Sequence, residues 1–300
     1  MKVLLAGATG AIGRPLTRLL LADGHDVLAL ARSEAAARRV RDLGAEPVHA
    51  DALDREGLLR AVEGRTADAV VHQLTALKAP KRTLTADDPS NVLRAAGTDH
   101  LLEAAGVLGA TRFVAQSLVT GYGYGDHGDR MLTEHDPFGV LRGTVSDHVV
   151  DGLTAVEGRV FAARHVAGTA LRYGVFHGPG TWFDPDPASG TVPVPVGGGG
   201  VMSWVHVEDA AAATVAALEH GGAGEAYNIV DDAPGTWGGA AALARGGRRS
   251  LRLPGWLLRR AVPYLGDLML DTTLRVSHAK ATAQLGWTPR RPGPGAGRAR

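Results

Sequence analysis

The seven residues Gly7-Ala8-Thr9-Gly10-Ala11-Ile12-Gly13 restrict what this chain can become more than any other stretch. Before them runs Lys2-Val3-Leu4-Leu5-Ala6, an apolar segment of strand length. After them Pro15-Leu16-Thr17-Arg18-Leu19-Leu20-Leu21 places apolar residues at helical spacing. Strand, glycine turn and helix in that order predict a loop that holds a dinucleotide. The first turn of a helix leaves backbone N–H groups unpaired, and these, with the helix dipole, attract a pyrophosphate. The spacing is GxxGxxG, not the commoner GxGxxG. Gly7, Thr9, Gly10, Ala11, Ile12 and Gly13 are therefore the expected cofactor contacts of this loop.

Downstream, short apolar runs alternate with helical patterns. The Asp23-Gly24 turn separates the first helix from a second strand at residues 26–30, which ends at Ala31-Arg32-Ser33. That position usually carries an acid for the ribose 2′-hydroxyl. An arginine there pairs with a 2′-phosphate through its planar fork. Arg32 and Ser33 thus favour NADP(H) over NAD(H); the alternative is a solvated Arg32 and a site open to either. A third strand, residues 46–50, runs into Asp51-Ala52, where a polar group reaches an adenine edge or caps the next helix. A fourth strand, residues 67–74, ends at Gln73 and Leu74, on the side where open α/β sheets bind ligands. A helix within residues 89–106 precedes a fifth strand, residues 112–116, which ends at Gln116. Ser117, Thr120 and the loop Gly121-Tyr122-Gly123-Tyr124-Gly125 follow. Helix 146–166, strand 168–173, strand 201–206, helix 208–220 and strand 226–230 continue the alternation, which predicts a parallel, doubly wound α/β sheet. Residues 178–200 form a Pro/Gly-rich segment too irregular for a simple connection. Residues 290–300 read as a disordered tail of Pro, Gly, Arg and Ala.

Composition excludes several classes. With 32 basic and 31 acidic residues the net charge is +1, so no field invites nucleic acid. There is no cysteine, which removes disulfides and thiolate chemistry. No run of about 18 apolar residues offers a membrane span, and the glycine loop interrupts any signal-like segment. A cytoplasmic protein with a small-molecule substrate is the expectation.

These landmarks resemble the extended short-chain dehydrogenase/reductase family, which includes nucleotide-sugar epimerases and dehydratases. The resemblance rests on the glycine loop, Asp51-Ala52-Leu53, Gly97-Thr98 with Leu101-Leu102-Glu103-Ala104-Ala105, Arg112-Phe113-Val114 and Leu171-Arg172-Tyr173. It continues through Gly178-Pro179-Gly180, residues 203–211, Tyr227-Asn228-Ile229 and Leu285-Gly286-Trp287-Thr288-Pro289. It implies a Rossmann-type sheet of about seven strands with a small C-terminal substrate lobe. Residues 1–172, completed by about 201–222, form the nucleotide-binding part. Residues 173–200 and 223–289 form the lobe. It also implies that Tyr173 lies near the nicotinamide, and a homodimer through helix 146–166.

The family's chemistry is missing its signature. Relatives carry Tyr-x-x-x-Lys on the helix after the fifth strand, the tyrosine exchanging protons and the lysine lowering its pKa. With Glu157 as register mark those positions are Val149 and Leu153, and residues 125–172 contain neither tyrosine nor lysine. Leu118 occupies the usual serine position. Candidates for catalysis are therefore Ser117, Thr120, Tyr122 and Tyr124. Asp147, His148 and Asp151 lie within about one turn and read as a solvated helix face. His177 and His206 stand singly, so no metal site is expected. Met202 replaces the arginine with which sugar-nucleotide relatives hold a diphosphate, which implies an uncharged, ring-shaped substrate. Trp182, Phe183, Met202 and Trp204 are its expected pocket. The leading reading is an atypical NADP(H)-dependent oxidoreductase or epimerase-type enzyme. The alternatives are a non-redox cyclase, lyase or isomerase, and a non-catalytic NADP(H) sensor.

Overall fold

The computed structural model describes residues 1–76, 84–186, 193–244 and 251–296. Seven strands form its central sheet: β1 (Lys2–Ala6), β2 (Asp26–Ala31), β3 (Glu46–His49), β4 (Ala69–His72), β5 (Arg112–Leu118), β6 (Ala167–Tyr173) and β7 (Glu225–Ile229). They lie in the order β3-β2-β1-β4-β5-β6-β7, and every pairing is parallel. Near-continuous apolar runs such as Val3-Leu4-Leu5-Ala6 suit strands covered on both faces. One face carries α1 (Gly13–Ala22) and α2 (Glu34–Asp42). The opposite face carries α3 (Arg55–Val62), α4 (Thr98–Leu108) and α5 (Asp147–Ala162). A sixth helix, α6 (Val207–His220), joins α1, and Leu16, Leu20, Ala210 and Leu218 are fully buried between that pair and the sheet. Leu58, Leu101, Val156 and Val160 fill the other side. The chain leaves β1 in one direction and returns to β4 on the other side. The switch point between β1 and β4 is where such sheets bind ligands.

The apolar cluster of the lobe, in which Trp204, Trp237, Met202, Met269 and Leu274 are fully buried, is continuous with Val119 and Tyr122 after β5 and with Val149, Val150 and Leu153 of α5. The lobe's small sheet has the order Gly235–Thr236, Val201–Met202, Thr273–Val276, Asp126–Leu132. Four expectations change here. Residues 225–229, expected in the lobe, pair with Thr169–Tyr173 and form the edge strand of the central sheet. Residues 126–132, assigned to the nucleotide-binding part, pair with Thr273–Val276 and so belong to the lobe. The expected strand 201–206 is split at Ser203: Val201–Met202 stays in the lobe sheet, and Trp204–His206 pairs with Val175–His177. Ser203 Oγ accepts from Val276 N–H and donates to the Leu274 carbonyl, fixing that break. The tail is held over residues 290–296: the Arg290 and Arg291 N–H groups both donate to Asp209 Oδ2 at 3.1 and 2.8 Å. A Cβ on Gly293 would collide with Asp231, and one on Gly295 with the backbone of Ala233 and Pro234. Residues 187–192 and 297–300 lie outside the described residues. No described helix is long and apolar enough to cross a membrane.

Candidate active site

At the switch point β1 ends in the glycine loop. Gly7 takes φ +108°, and a Cβ there would lie 2.8 Å from the Gln73 carbonyl at the end of β4. Gly13 opens α1 so close to the loop that a Cβ would lie 2.7 Å from the Ala8 carbonyl carbon. Gly10 is exposed, and its N–H donates to the Gly7 carbonyl at 3.0 Å. Ile12 is buried and Thr9 and Ala11 half-buried, so the loop presents backbone rather than side chains. No side chain caps α1 and no acid stands in its first turn. An open backbone at Gly10 before an uncapped helix start fits an anionic pyrophosphate. Gly180 closes one side, where a Cβ would lie 3.2 Å from an Arg14 Nη and 3.5 Å from Ala11 Cα.

At the ends of β2 and β3, Arg32 Nη1 lies 3.8 Å from Asp51 Oδ2, with side chains 67% and 39% exposed. So loose a pair at the surface contributes little. Ser33 Oγ caps α2 by accepting from the Ala36 N–H. Asp51 Oδ1 accepts from Leu53 N–H, and the cap of α3 is Asp54. Ala52 is buried. On the far side Leu74 and Gln116 are half-buried, and Gln73 Oε1 is an enclosed acceptor with no partner. Gln73 Nε2 donates to the Tyr173 hydroxyl at 3.0 Å, which also bonds Thr214 Oγ1 at 2.7 Å. Tyr173 is fully buried and pushed up to about 12 by burial. His72, buried at the end of β4, is held neutral, burial lowering it to about 4.

Two of the expected catalytic hydroxyls are bound into a buried ionic network. Arg172 on β6 meets Glu157 on α5 through two parallel bonds of 2.9 and 2.7 Å. Ser117 Oγ donates to Glu157 Oε1 at 2.6 Å. The Tyr122 hydroxyl accepts from Arg172 Nη1 at 3.0 Å and donates to Asn228 Oδ1 at 2.9 Å. The guanidinium also lies 3.8 Å from the Phe138 ring centre. Burial pushes Tyr122 up to about 12. Ser117 and Tyr122 are thus braces that tie β5, α5, β6 and β7 together. Tyr124 is buried, its hydroxyl donating to Tyr264 at 3.4 Å, and burial raises it well above the usual phenol range. Thr120 Oγ1 is enclosed without a bond of normal geometry. Opposite this loop, Val149, Val150 and Leu153 of α5 pack against Val119, Tyr122 and Tyr124. The helix face that carries acid/base chemistry in relatives is hydrocarbon here.

The expected substrate pocket is largely lobe core. Phe183 and Trp204 meet edge-to-face at 5.2 Å, and Trp204 and Trp237 at 5.0 Å. Trp204 Nε1 donates to the Gly235 carbonyl at 2.8 Å. Met202 is enclosed on the short strand Val201–Met202, beside Leu274. Trp182 alone of the four is half-buried.

The sequence also hides groupings. His177 Nε2 lies 3.1 Å from Asp231 Oδ2, and the His177 and His206 rings lie 5.1 Å apart. Burial raises Asp231. Among the described residues no group of three His, Cys, Asp or Glu is arranged to hold a metal. Asp147 accepts from the Arg142 and Gly143 N–H groups, a loop brace rather than a partner for His148. The Glu157–Arg172 pair and the buried Arg94 leave only a faint trace in the sequence. The available signal is a charge inside an apolar run, as in Leu171-Arg172-Tyr173 and Val92-Leu93-Arg94-Ala95-Ala96.

The profile of the NAD dependent epimerase/dehydratase family matches residues 3–230. A curated relative, 3-diazoavenalumate denitrifying reductase from a Streptomyces species, is 38% identical over 307 residues, covering 97% of each chain. A quinoline-oxide ketoreductase from Stigmatella aurantiaca is 37% identical over 105 residues, 35% of this chain and 30% of that one. In fold, the chain resembles Thermus thermophilus UDP-glucose 4-epimerase solved with NAD, with TM-score 0.76, 24% identity and coverage of 99% and 96%. It also resembles the dTDP-glucose 4,6-dehydratase of Streptomyces venezuelae, with TM-score 0.74, 21% identity and coverage of 99% and 94%. A dinucleotide cradle at the switch point, an acid/base face turned to hydrocarbon and reductase kinship over nearly the full length agree, and the chain belongs to the NAD dependent epimerase/dehydratase family as an NAD(P)-dependent oxidoreductase/epimerase-like enzyme.

Proposed function

We propose that this enzyme is an NADP(H)-dependent reductase that removes a diazo group as N2 from a small aromatic acid. The observation that carries this reading is the apolar wall of Val149 and Leu153 facing a loop whose Ser117 and Tyr122 hydroxyls are already engaged. Ketone reduction needs a proton for the new alkoxide, and epimerisation by transient oxidation must remove and return one. An arene diazonium needs neither. Its C–N bond breaks, a C–H bond forms with the electron pair of the hydride, the nitrogens leave as N2 and the positive charge is cancelled. Simple alkyl diazonium ions lose N2 unaided, whereas arene diazonium ions persist long enough to meet a hydride donor, which favours an arene. The relative of matching length, named as a denitrifying reductase of a diazo compound, supports the same chemistry.

When bound, NADP(H) supplies the hydride. The chain's own residues hold, orient and enclose. The backbone at Gly10 and the start of α1 take the pyrophosphate, and Arg32 and Ser33 border the 2′-phosphate. The hydrocarbon of Val149 and Leu153 excludes water from a reactive cation.

In the test, 3-amino-4-hydroxycinnamate is diazotised and mixed with enzyme and NADPH. One N2 is expected per NADPH oxidised, with 4-hydroxycinnamate as product. N2 release without NADPH oxidation would favour a non-redox lyase on the same fold. NADPH is expected to bind more tightly than NADH. Arg32→Ala is expected to weaken NADPH by about 10- to 100-fold, the worth of a bond to a charged group, and to leave NADH unchanged. Equal affinity of the unaltered enzyme for both cofactors would remove that role from Arg32.

A further inference from the structure

Arg94 lies in the π-helical turn Leu93–Gly97, between the short helix Pro89–Val92 and α4. It is only 4% exposed. A guanidinium remains charged in proteins, and enclosing it without a counter-ion is unfavourable by several kcal/mol. The other enclosed arginine, Arg172, meets a carboxylate through two bonds. Arg94 has no such partner among the described residues. Its Nη1 donates to the neutral amide oxygen of Asn91 at 3.3 Å. The segments outside the described residues contain no Asp or Glu. Asp88, whose Oδ1 accepts from the Ser90 N–H at 3.1 Å, acts on Arg94 through space but forms no ion pair with it. The remaining N–H groups of Arg94 are not sealed from solvent.

The surroundings show which ligand this charge serves. A Cβ at Gly152 would clash with Asn91 Oδ1 and lie 3.2 Å from Arg94 Cδ, so the missing side chain lets both cross α5. Gly152 is next to Leu153 and three residues after Val149, on the helix face that lines the loop after β5. The hydroxyls of Tyr124 and Tyr264, both raised by burial and therefore protonated donors, share the neighbourhood of Arg94. In the proposed binding mode the anionic groups of the dinucleotide are held at the start of α1, after β1, and at Arg32, after β2, whereas Arg94 follows β4. The anion that reaches Arg94 therefore belongs to the other ligand.

We infer that Arg94 is the anchor for a carboxylate of the substrate, flanked by the hydroxyls of Tyr124 and Tyr264. The arene acid as its ligand rests on the reductase reading; the need for an anion rests on Arg94 alone. Holding the acid end at this position aims the opposite end of a flat molecule along the Val149–Leu153 wall. A site of this kind selects organic acids over uncharged molecules.

The test measures binding of 4-hydroxycinnamate and of its methyl ester to the NADP+-loaded enzyme by calorimetry. The unaltered enzyme is expected to prefer the acid. Arg94→Met is expected to weaken the acid by about 10- to 100-fold, as for a lost bond between charged groups, and to leave the ester unchanged. Arg94→Lys should restore part of the loss. Because the substitution removes an uncompensated buried charge, the Tm of Arg94→Met should stay level or rise. A fall in Tm with no selective loss of the acid, or equal binding of acid and ester by the unaltered enzyme, would overturn the assignment. Selective acid binding through Arg94 without N2 release from the diazotised compound would sink the reductase reading and keep the anchor. N2 release with the same KM for acid and ester would do the reverse.

Discussion

Glu157→Gln is expected to lower folding stability by about 3–5 kcal/mol, the loss seen when one partner of a buried ion pair is removed. For a chain of this size that corresponds to a Tm lower by on the order of 10 °C. The side chains of Arg172 and Glu157 are 7% and 5% exposed, so water cannot replace the lost charge. The amide cannot accept two parallel bonds from the fork, and it leaves Ser117 and Tyr122 in an altered network. Adding Arg172→Met should recover at least half of the loss, because the second change removes the stranded cation. Urea unfolding of the single and double variants measures both. A single variant as stable as the parent would show that the pair bears no structural load.

Gly7→Ala is expected to weaken NADPH binding by at least about 100-fold and to destabilise the fold by about 1–3 kcal/mol, the usual cost of a strained backbone. Two effects combine there: φ is +108°, and the new Cβ would lie 2.8 Å from the Gln73 carbonyl. The loop must shift away from the end of β4, which moves the backbone offered to the phosphates. Gly24→Ala is the control. Gly24 also has a positive φ, +78°, but a Cβ there meets nothing within 4 Å. It should cost about 1 kcal/mol and leave NADPH binding intact. Fluorescence titration with NADPH separates the two variants; equal losses would mean that strain, and not contact with β4, governs the loop.

The sequence displayed the parallel sheet and its glycine loop well because these depend on local patterns. A doubly covered strand is apolar throughout, and a loop before a helix announces itself by glycine spacing. What stayed hidden depended on partners far along the chain. Asp126–Leu132, mostly polar, becomes a strand because Thr273–Val276 lies beside it. Ser117 and Tyr122 looked available because nothing near them in sequence occupies their hydroxyls, yet their partners Glu157 and Asn228 lie 40 and 106 residues away. Phe183, Met202 and Trp204 resembled a pocket because aromatic and sulfur side chains serve cores and ligands alike. The loss at Val149 and Leu153 was legible, since substitution of an acid/base residue by hydrocarbon needs no partner to interpret.

Residues 290–296 tie Asp209, at the start of α6, to Asp231 and Pro234 beside β7. These residues follow both halves of the molecule in the chain, so they leave the ribosome after everything they fasten. Domains fold as they emerge, the N-terminal part first. The glycine loop and β1 to β5 can therefore assemble early, while α6 and the segment after β7 stay unclasped until these residues arrive. A ribosome paused before residue 290 would carry a nascent chain with its nucleotide cradle built and that edge of the sheet still open.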